Sequence, residues 1–135
     1  MTVLIDTNVV VDVLTRDPVW FSPSWKELSR ILGQDLIAIN HVVYAELAAG
    51  YGSLEDLDAA VRSIGVVVLP LRRPALFLAG KAFKRYRAAG GTRTGVLSDF
   101  FIGAQAEADG LALLTRDPKR YRTYFPSVEL IVPAS

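Results

Sequence analysis

Four acidic side chains stand where solvation does not account for them. Asp6 closes the apolar run Val3-Leu4-Ile5, and Asp117 follows Leu113-Leu114-Thr115-Arg116. Glu46 is the only charged side chain between His41 and Ala49, and Asp99 directly precedes Phe100-Phe101-Ile102. Burying an unpaired carboxylate is costly or forces its protonation. If the fold gathers these four, their mutual repulsion is relieved most simply by a divalent cation. The pattern looks like a magnesium-binding phosphodiesterase site. Cysteine is absent, so zinc–thiolate centres, disulfides and thiol nucleophiles are excluded, and any metal must be held by oxygen. His41 is the only histidine and is assigned no role, which leaves direct attack by water simpler than a covalent intermediate.

Each acid also has a purely structural reading. Asp6-Thr7-Asn8 has the form of a helix N-cap, Asp117-Pro118 that of a cap followed by proline at the first helical position, and Asp99 that of a first-turn acid favoured by the helix dipole. Glu46 resists this, since Val42, Val43, Ala45, Leu47, Ala48 and Ala49 surround it. Asp12, Asp35, Glu55, Asp56, Asp58, Glu107, Asp109 and Glu129 read as solvated charges.

The elements that must position the four alternate short apolar runs with helical patterns, which is the α/β signature. Strands are expected at Val3–Asp6, Leu36–Ile39, Val66–Leu69 and Ala112–Thr115, with an edge strand over Val128–Val132. Helices are expected at Asn8–Thr15, from a capping box at Ser24 and Glu27 to Gly33, from the Asn40 cap to Ala49, and at Leu54–Ile64, Pro74–Ala89 and Leu97–Asp109. A short helical turn through Tyr121 follows Asp117-Pro118. In a parallel sheet with right-handed crossovers, ligands bind beyond the carboxyl ends of the strands, where strand order reverses. All four acids are placed for that edge.

At 135 residues the chain is expected to be one domain, residues 1–135, and 51% hydrophobic with 21% charged residues is an ordinary globular composition. No apolar stretch approaches the roughly 18 residues of a membrane helix and no basic leader precedes the first strand, so a soluble cytoplasmic protein is expected. The net charge of +1 hides an asymmetry: residues 1–58 carry nine acids and three bases, residues 59–135 twelve bases and five acids. Arg116, Lys119, Arg120 and Arg122 form a basic group on the rim of the site, with Arg93 farther off, and these are the candidate phosphate contacts. Single-stranded or looped RNA suits an open acidic pocket better than a duplex, because its bases can splay and stack. Tyr121 or Tyr124 could supply the stacking face, although both read first as packing residues. Trp20, Phe21 and Trp25 cluster between the first two helices, either as core or as the lining of a partner groove.

Ile5-Asp6-Thr7-Asn8, Glu46-Leu47-Ala48-Ala49-Gly50, Ser98-Asp99-Phe100-Phe101-Ile102-Gly103-Ala104-Gln105-Ala106 and Leu113-Leu114-Thr115-Arg116-Asp117, in this order, resemble the PIN-domain ribonucleases, and within them the VapC toxins of VapBC toxin–antitoxin pairs. The resemblance spans essentially the whole chain. It implies a three-layer fold with a central parallel sheet of four to five strands between helices, and a magnesium- or manganese-dependent endoribonuclease. It also implies a homodimer blocked by a VapB-like antitoxin lying near Trp20, Phe21 and Trp25 and often reaching an arginine into the acidic pocket. By the same resemblance Asp6, Glu46, Asp99 and Asp117 are the acidic quartet, with Thr7, Asn8 and Thr115 accessory. Phe100-Phe101 stands where smaller residues often follow the third acid, which bears on specificity.

The chemistry these residues permit agrees. Magnesium keeps several waters, so two or three carboxylates and a substrate phosphate complete its shell. Asp6 and Asp99 are expected to hold the ion, Asp117 to reach it directly or through water, and Glu46 to orient or deprotonate the attacking water, giving a 5′-phosphate and a 3′-hydroxyl. The alternatives are a PIN nuclease with an RNA-processing role or a DNA substrate, and a catalytically inert PIN-like binding module. A receiver-like domain is disfavoured because no acidic pair closes the first strand.

Overall fold

In the first strand, β1 (Thr2–Ile5), Val3, Leu4 and Ile5 are fully buried, as expected of a parallel strand covered on both faces. The computed structural model describes residues 1–93 and 95–134. After β1 come α1 (Thr7–Leu14), α2 (Phe21–Leu32), β2 (Leu36–Asn40), α3 (His41–Ala48), α4 (Leu54–Ser63), β3 (Val67–Leu69), α5 (Arg73–Ala88), α6 (Leu97–Asp109), β4 (Ala112–Leu114), α7 (Lys119–Tyr124) and β5 (Leu130–Ile131). The strands form one parallel sheet in the order β3-β2-β1-β4-β5, flanked by helices. This is the α/β architecture expected from the sequence.

Chain progression runs outward from β1 to β3 and then returns to the other side of β1 with β4. The reversal of strand order therefore lies between β1 and β4. Their register aligns Leu4 with Leu113 and Ile5 with Leu114, and the Asp6 amide extends the pairing by donating to the Leu114 carbonyl at 2.9 Å. Asp6 thus leaves β1 beside the segment Thr115-Arg116-Asp117 that leaves β4.

Local signals account for most element ends. Asn40 caps α3 by accepting from the Val43 amide at 2.9 Å, and Ser53 caps α4 through the Asp56 amide. Gly110 ends α6 in the left-handed conformation at φ 66°, which a side chain would strain. The capping box expected at Ser24 and Glu27 is not formed. Asp17 accepts from the amides of Val19 and Trp20, and the Phe21 amide bonds the Asp17 carbonyl, so α2 starts a turn earlier and Ser24 lies buried inside it. Among the described residues no helix is long and apolar enough to cross a membrane.

Two contacts fix the helices that carry the later parts of the site. α5 packs along α6, where Phe83 and Tyr86 meet Phe100 at centroid distances of 6.0 and 5.6 Å. Gly103 of α6 lies against the Phe125 ring just beyond α7, so closely that a Cβ there would clash with the ring edge. Gly103→Ala is therefore expected to lower stability by about 1–3 kcal/mol through overpacking. Gly80→Ala, on the open face of α5, is expected to raise it by about 0.5–1 kcal/mol. Urea unfolding of both variants checks the pair, and equal effects would show that the Phe125 contact does not hold α6.

Candidate active site

At the carboxyl end of β1 the Asp6 carboxylate is 4% exposed, so nearly all its solvation must come from the protein. Its Oδ1 accepts from the Thr7 amide at 2.7 Å, the N-cap contact that starts α1. Its Oδ2 accepts from the Thr115 hydroxyl at 2.8 Å and the Tyr121 phenol at 2.9 Å. Burial outweighs these donors, and with the nearby charge of Asp99 it pushes the Asp6 carboxyl up to about 6. Burial, then the charges of Asp6 and Asp99, hold the Tyr121 hydroxyl well above its ordinary range, so it remains a donor.

The other three acids come from separate segments. Asp99, in the first turn of α6, accepts from Arg120 Nη1 of α7 at 2.6 Å. Burial raises its carboxyl, Arg120 offsets part of that, and the charges of Glu46 and Asp117 raise it further. Glu46, in the second turn of α3, accepts from the Thr7 hydroxyl at 2.7 Å through Oε1 and from Ser98 at 3.4 Å through Oε2. Asp117 is exposed, and its amide donates to the Thr115 hydroxyl at 3.0 Å, so Thr115 ties the β4 exit to Asp6. The cap reading of Asp117 is not realised, because no side chain caps α7. The Asn8 side-chain oxygen accepts from the Arg116 amide at 3.2 Å, fastening α1 to the same segment.

These donors are all oxygen, which suits a hard cation. Among the described residues no three His, Cys, Asp or Glu side chains stand close enough to form a ready-made cage. Magnesium needs only one or two carboxylates and keeps its remaining waters. Asp6 and Asp99, within each other's electrostatic reach and, among the described residues, with Arg120 alone as a paired cation, fit that requirement.

One sequence expectation is corrected here. Asp12 is not a solvated charge: it is 2% exposed, paired with Arg116 through two bonds of 2.7 and 3.1 Å and bonded by Ser24 at 2.8 Å. Arg116, expected to contact phosphate, pairs with Asp12 through Nε and Nη2, and its guanidinium lies 4.7 Å from the Trp20 ring centroid. The criterion that singled out Glu46, an acid inside an apolar run, would have found Asp12 between Val10-Val11 and Val13-Leu14. Lys119, Arg120 and Arg93 do come together, lining with Tyr86, Thr123, Tyr124 and Asp117 a cavity of about 410 Å³. Trp20 lies under Arg116, while Phe21 and Trp25 stack at 6.5 Å and line a separate groove with Val13, Leu14 and Ile64. The Tyr121 contact to Asp6 escaped the sequence reading. Its signal was a tyrosine on the apolar side of a short helix, since a buried phenol needs an acceptor.

Comparison with known proteins adds the family. The PIN domain family profile matches residues 3–126. No curated protein matches the sequence significantly. Among solved structures, VapBC2 from Rickettsia felis bound to a promoter DNA fragment is similar at TM-score 0.76 and 19% identity, over 99% of this chain and 100% of that one. VapBC-1 from nontypeable Haemophilus influenzae is similar at TM-score 0.74 and 20% identity over 98% of each chain. DNA-bound VapBC from Salmonella typhimurium gives 0.73 and 18%, again over 98% of each. At these identities the likeness is one of fold.

The raised Asp6 carboxyl has a pH consequence. The native state holds this proton at pH values where the unfolded chain has released it, so stability is lost as pH rises from about 4 to about 6. Without metal, the wild type is expected to lose about 2–3 kcal/mol relative to Asp6→Asn between pH 4 and pH 7, read from urea unfolding of both proteins. Parallel curves would mean that Asp6 ionises freely in the fold. Arg116→Ala, which strands the buried Asp12 carboxylate, is expected to cost about 2–4 kcal/mol, measured the same way.

Proposed function

The chain belongs to the PIN-domain family, and from that premise we propose that it is a divalent-metal-dependent endoribonuclease, the toxin of a VapBC-type toxin–antitoxin pair. The observation that carries the proposal is that Asp99 lies within electrostatic reach of Asp6, Glu46 and Asp117, acids from three other segments, beside the reversal of strand order. Asp6 and Asp99 would hold the cation, magnesium or manganese, with Asp117 on its open side. When bound, the cation supplies charge neutralisation at the phosphate and a lowered pKa for water.

The protein's own groups account for the rest. Thr115 and Tyr121 fix Asp6 Oδ2, so one carboxylate oxygen is oriented before any ligand arrives. Thr7 holds Glu46 Oε1, leaving Oε2, with Ser98 beside it, to orient the attacking water and accept its proton. Lys119 and Arg93 draw the phosphodiester backbone into the cavity that opens on Asp117, and Tyr86 and Tyr124 offer aromatic faces to an unpaired base. Hydrolysis in this arrangement leaves a 5′-phosphate and a 3′-hydroxyl. The toxin assignment is supported by likeness in fold to VapBC assemblies, and the groove of Phe21 and Trp25, edged by Arg16 and Ser63, suits an amphipathic segment of a VapB-like antitoxin.

The test is cleavage of an end-labelled, partly single-stranded RNA by the purified chain with magnesium, manganese or EDTA. Cutting is expected only with metal, and Asp6→Asn and Asp99→Asn are each expected to reduce it by about a hundredfold or more. Undiminished cutting in EDTA, or by both variants, would overturn the metal mechanism. Cutting of single-stranded DNA in preference to RNA would move the substrate assignment.

A further inference from the structure

α7 presents three consecutive side chains to three different tasks. Lys119 lines the basic cavity, Arg120 pairs with Asp99, and Tyr121 bonds Asp6. Arg120 has a double position. Its Nη1 lies 2.6 Å from Asp99 Oδ2, and the same side chain lines the cavity with Lys119 and Arg93. Both partners are partly buried, with side chains 24% and 31% exposed, so the pair is screened less than one on the open surface. A cation within hydrogen-bonding distance of one of the two carboxylates best placed for a metal both competes for that oxygen and repels a divalent ion nearby.

We propose that Arg120 is a built-in counter-cation for Asp99 that yields the carboxylate when a divalent cation arrives and turns to the substrate phosphate in the adjoining cavity. This rests on the metallonuclease reading above and adds a coupling between its two ligands. The cation that releases Arg120 leaves a guanidinium free for phosphate, and a phosphate that draws Arg120 away opens Asp99 to the cation. Metal and phosphodiester then tighten each other's binding, as linkage requires when each displaces the same contact. Metal alone binds weakly, and the complete site forms when RNA is present.

Titration calorimetry of the full chain with Mn2+ separates the possibilities, with circular dichroism confirming that each variant is folded. Arg120→Gln is expected to bind Mn2+ at least about tenfold more tightly than wild type, and Arg120→Lys, which keeps the charge, within about threefold of it. Adding a 2′-O-methyl RNA tetranucleotide is expected to tighten Mn2+ binding to the wild type and to leave Arg120→Gln nearly unchanged. If folded Arg120→Gln binds Mn2+ no more tightly than wild type while Asp99→Asn abolishes binding, the counter-cation role is overturned and the metal site stands. If no protein in the series takes up Mn2+, with or without the tetranucleotide, the metal site itself falls and the coupling with it.

Discussion

A carboxylate at the end of a fully buried strand is the constraint around which this structure is arranged. Asp6 follows three core residues with 0% exposure and is itself only 4% exposed, so its oxygens must be satisfied largely from within. The three groups that do this come from three places: the Thr7 amide from the start of α1, the Thr115 hydroxyl from the exit of β4, and the Tyr121 phenol from α7. Each bond stabilises the charge and also fixes the element that supplies the donor. Their sum still leaves the carboxyl well above its ordinary range, because burial costs the charge more than the three donors return.

A second buried acid supports the first without facing the site. Asp12 lies about 1.7 turns along α1 from Asp6, and its ion pair with Arg116 holds the chain immediately after Thr115. Trp20 covers the guanidinium and Ser24 caps a carboxylate oxygen, so α2 joins the same arrangement. Removing either charge would leave the other stranded, and the segment bearing Thr115 and Asp117 would lose one of its anchors. The buried pair is thus a device for position more than for stability.

Much of this was legible in the sequence, for identifiable reasons. Strands buried on both faces read as unbroken apolar runs, so β1, β2 and β4 announced themselves, and Asn40 and Gly110 marked their helix ends by local chemistry. The expectation that the four acids share one edge came from topology alone, because each lies just past a strand or in the opening turns of a helix, and Asp99 does lie within electrostatic reach of the other three. What stayed hidden was long-range pairing. Arg116 and Asp12 are 104 residues apart and Tyr121 and Asp6 are 115 apart, separations that leave no periodic trace. Ser24 misled because its spacing to Glu27 satisfied a local rule while Asp17, seven residues earlier, had already begun the helix.

The placement of Lys119, Arg120 and Tyr121 on successive positions of a six-residue helix restricts how this segment can change. Neighbouring helical residues point about 100° apart, so a single inserted or deleted residue ahead of Lys119 would turn all three to the wrong targets together. Substitution can alter one side chain while sparing the other two. Length change at this point cannot, and the stretch from Asp117 to Tyr121 is therefore expected to vary in composition among related chains far more readily than in length.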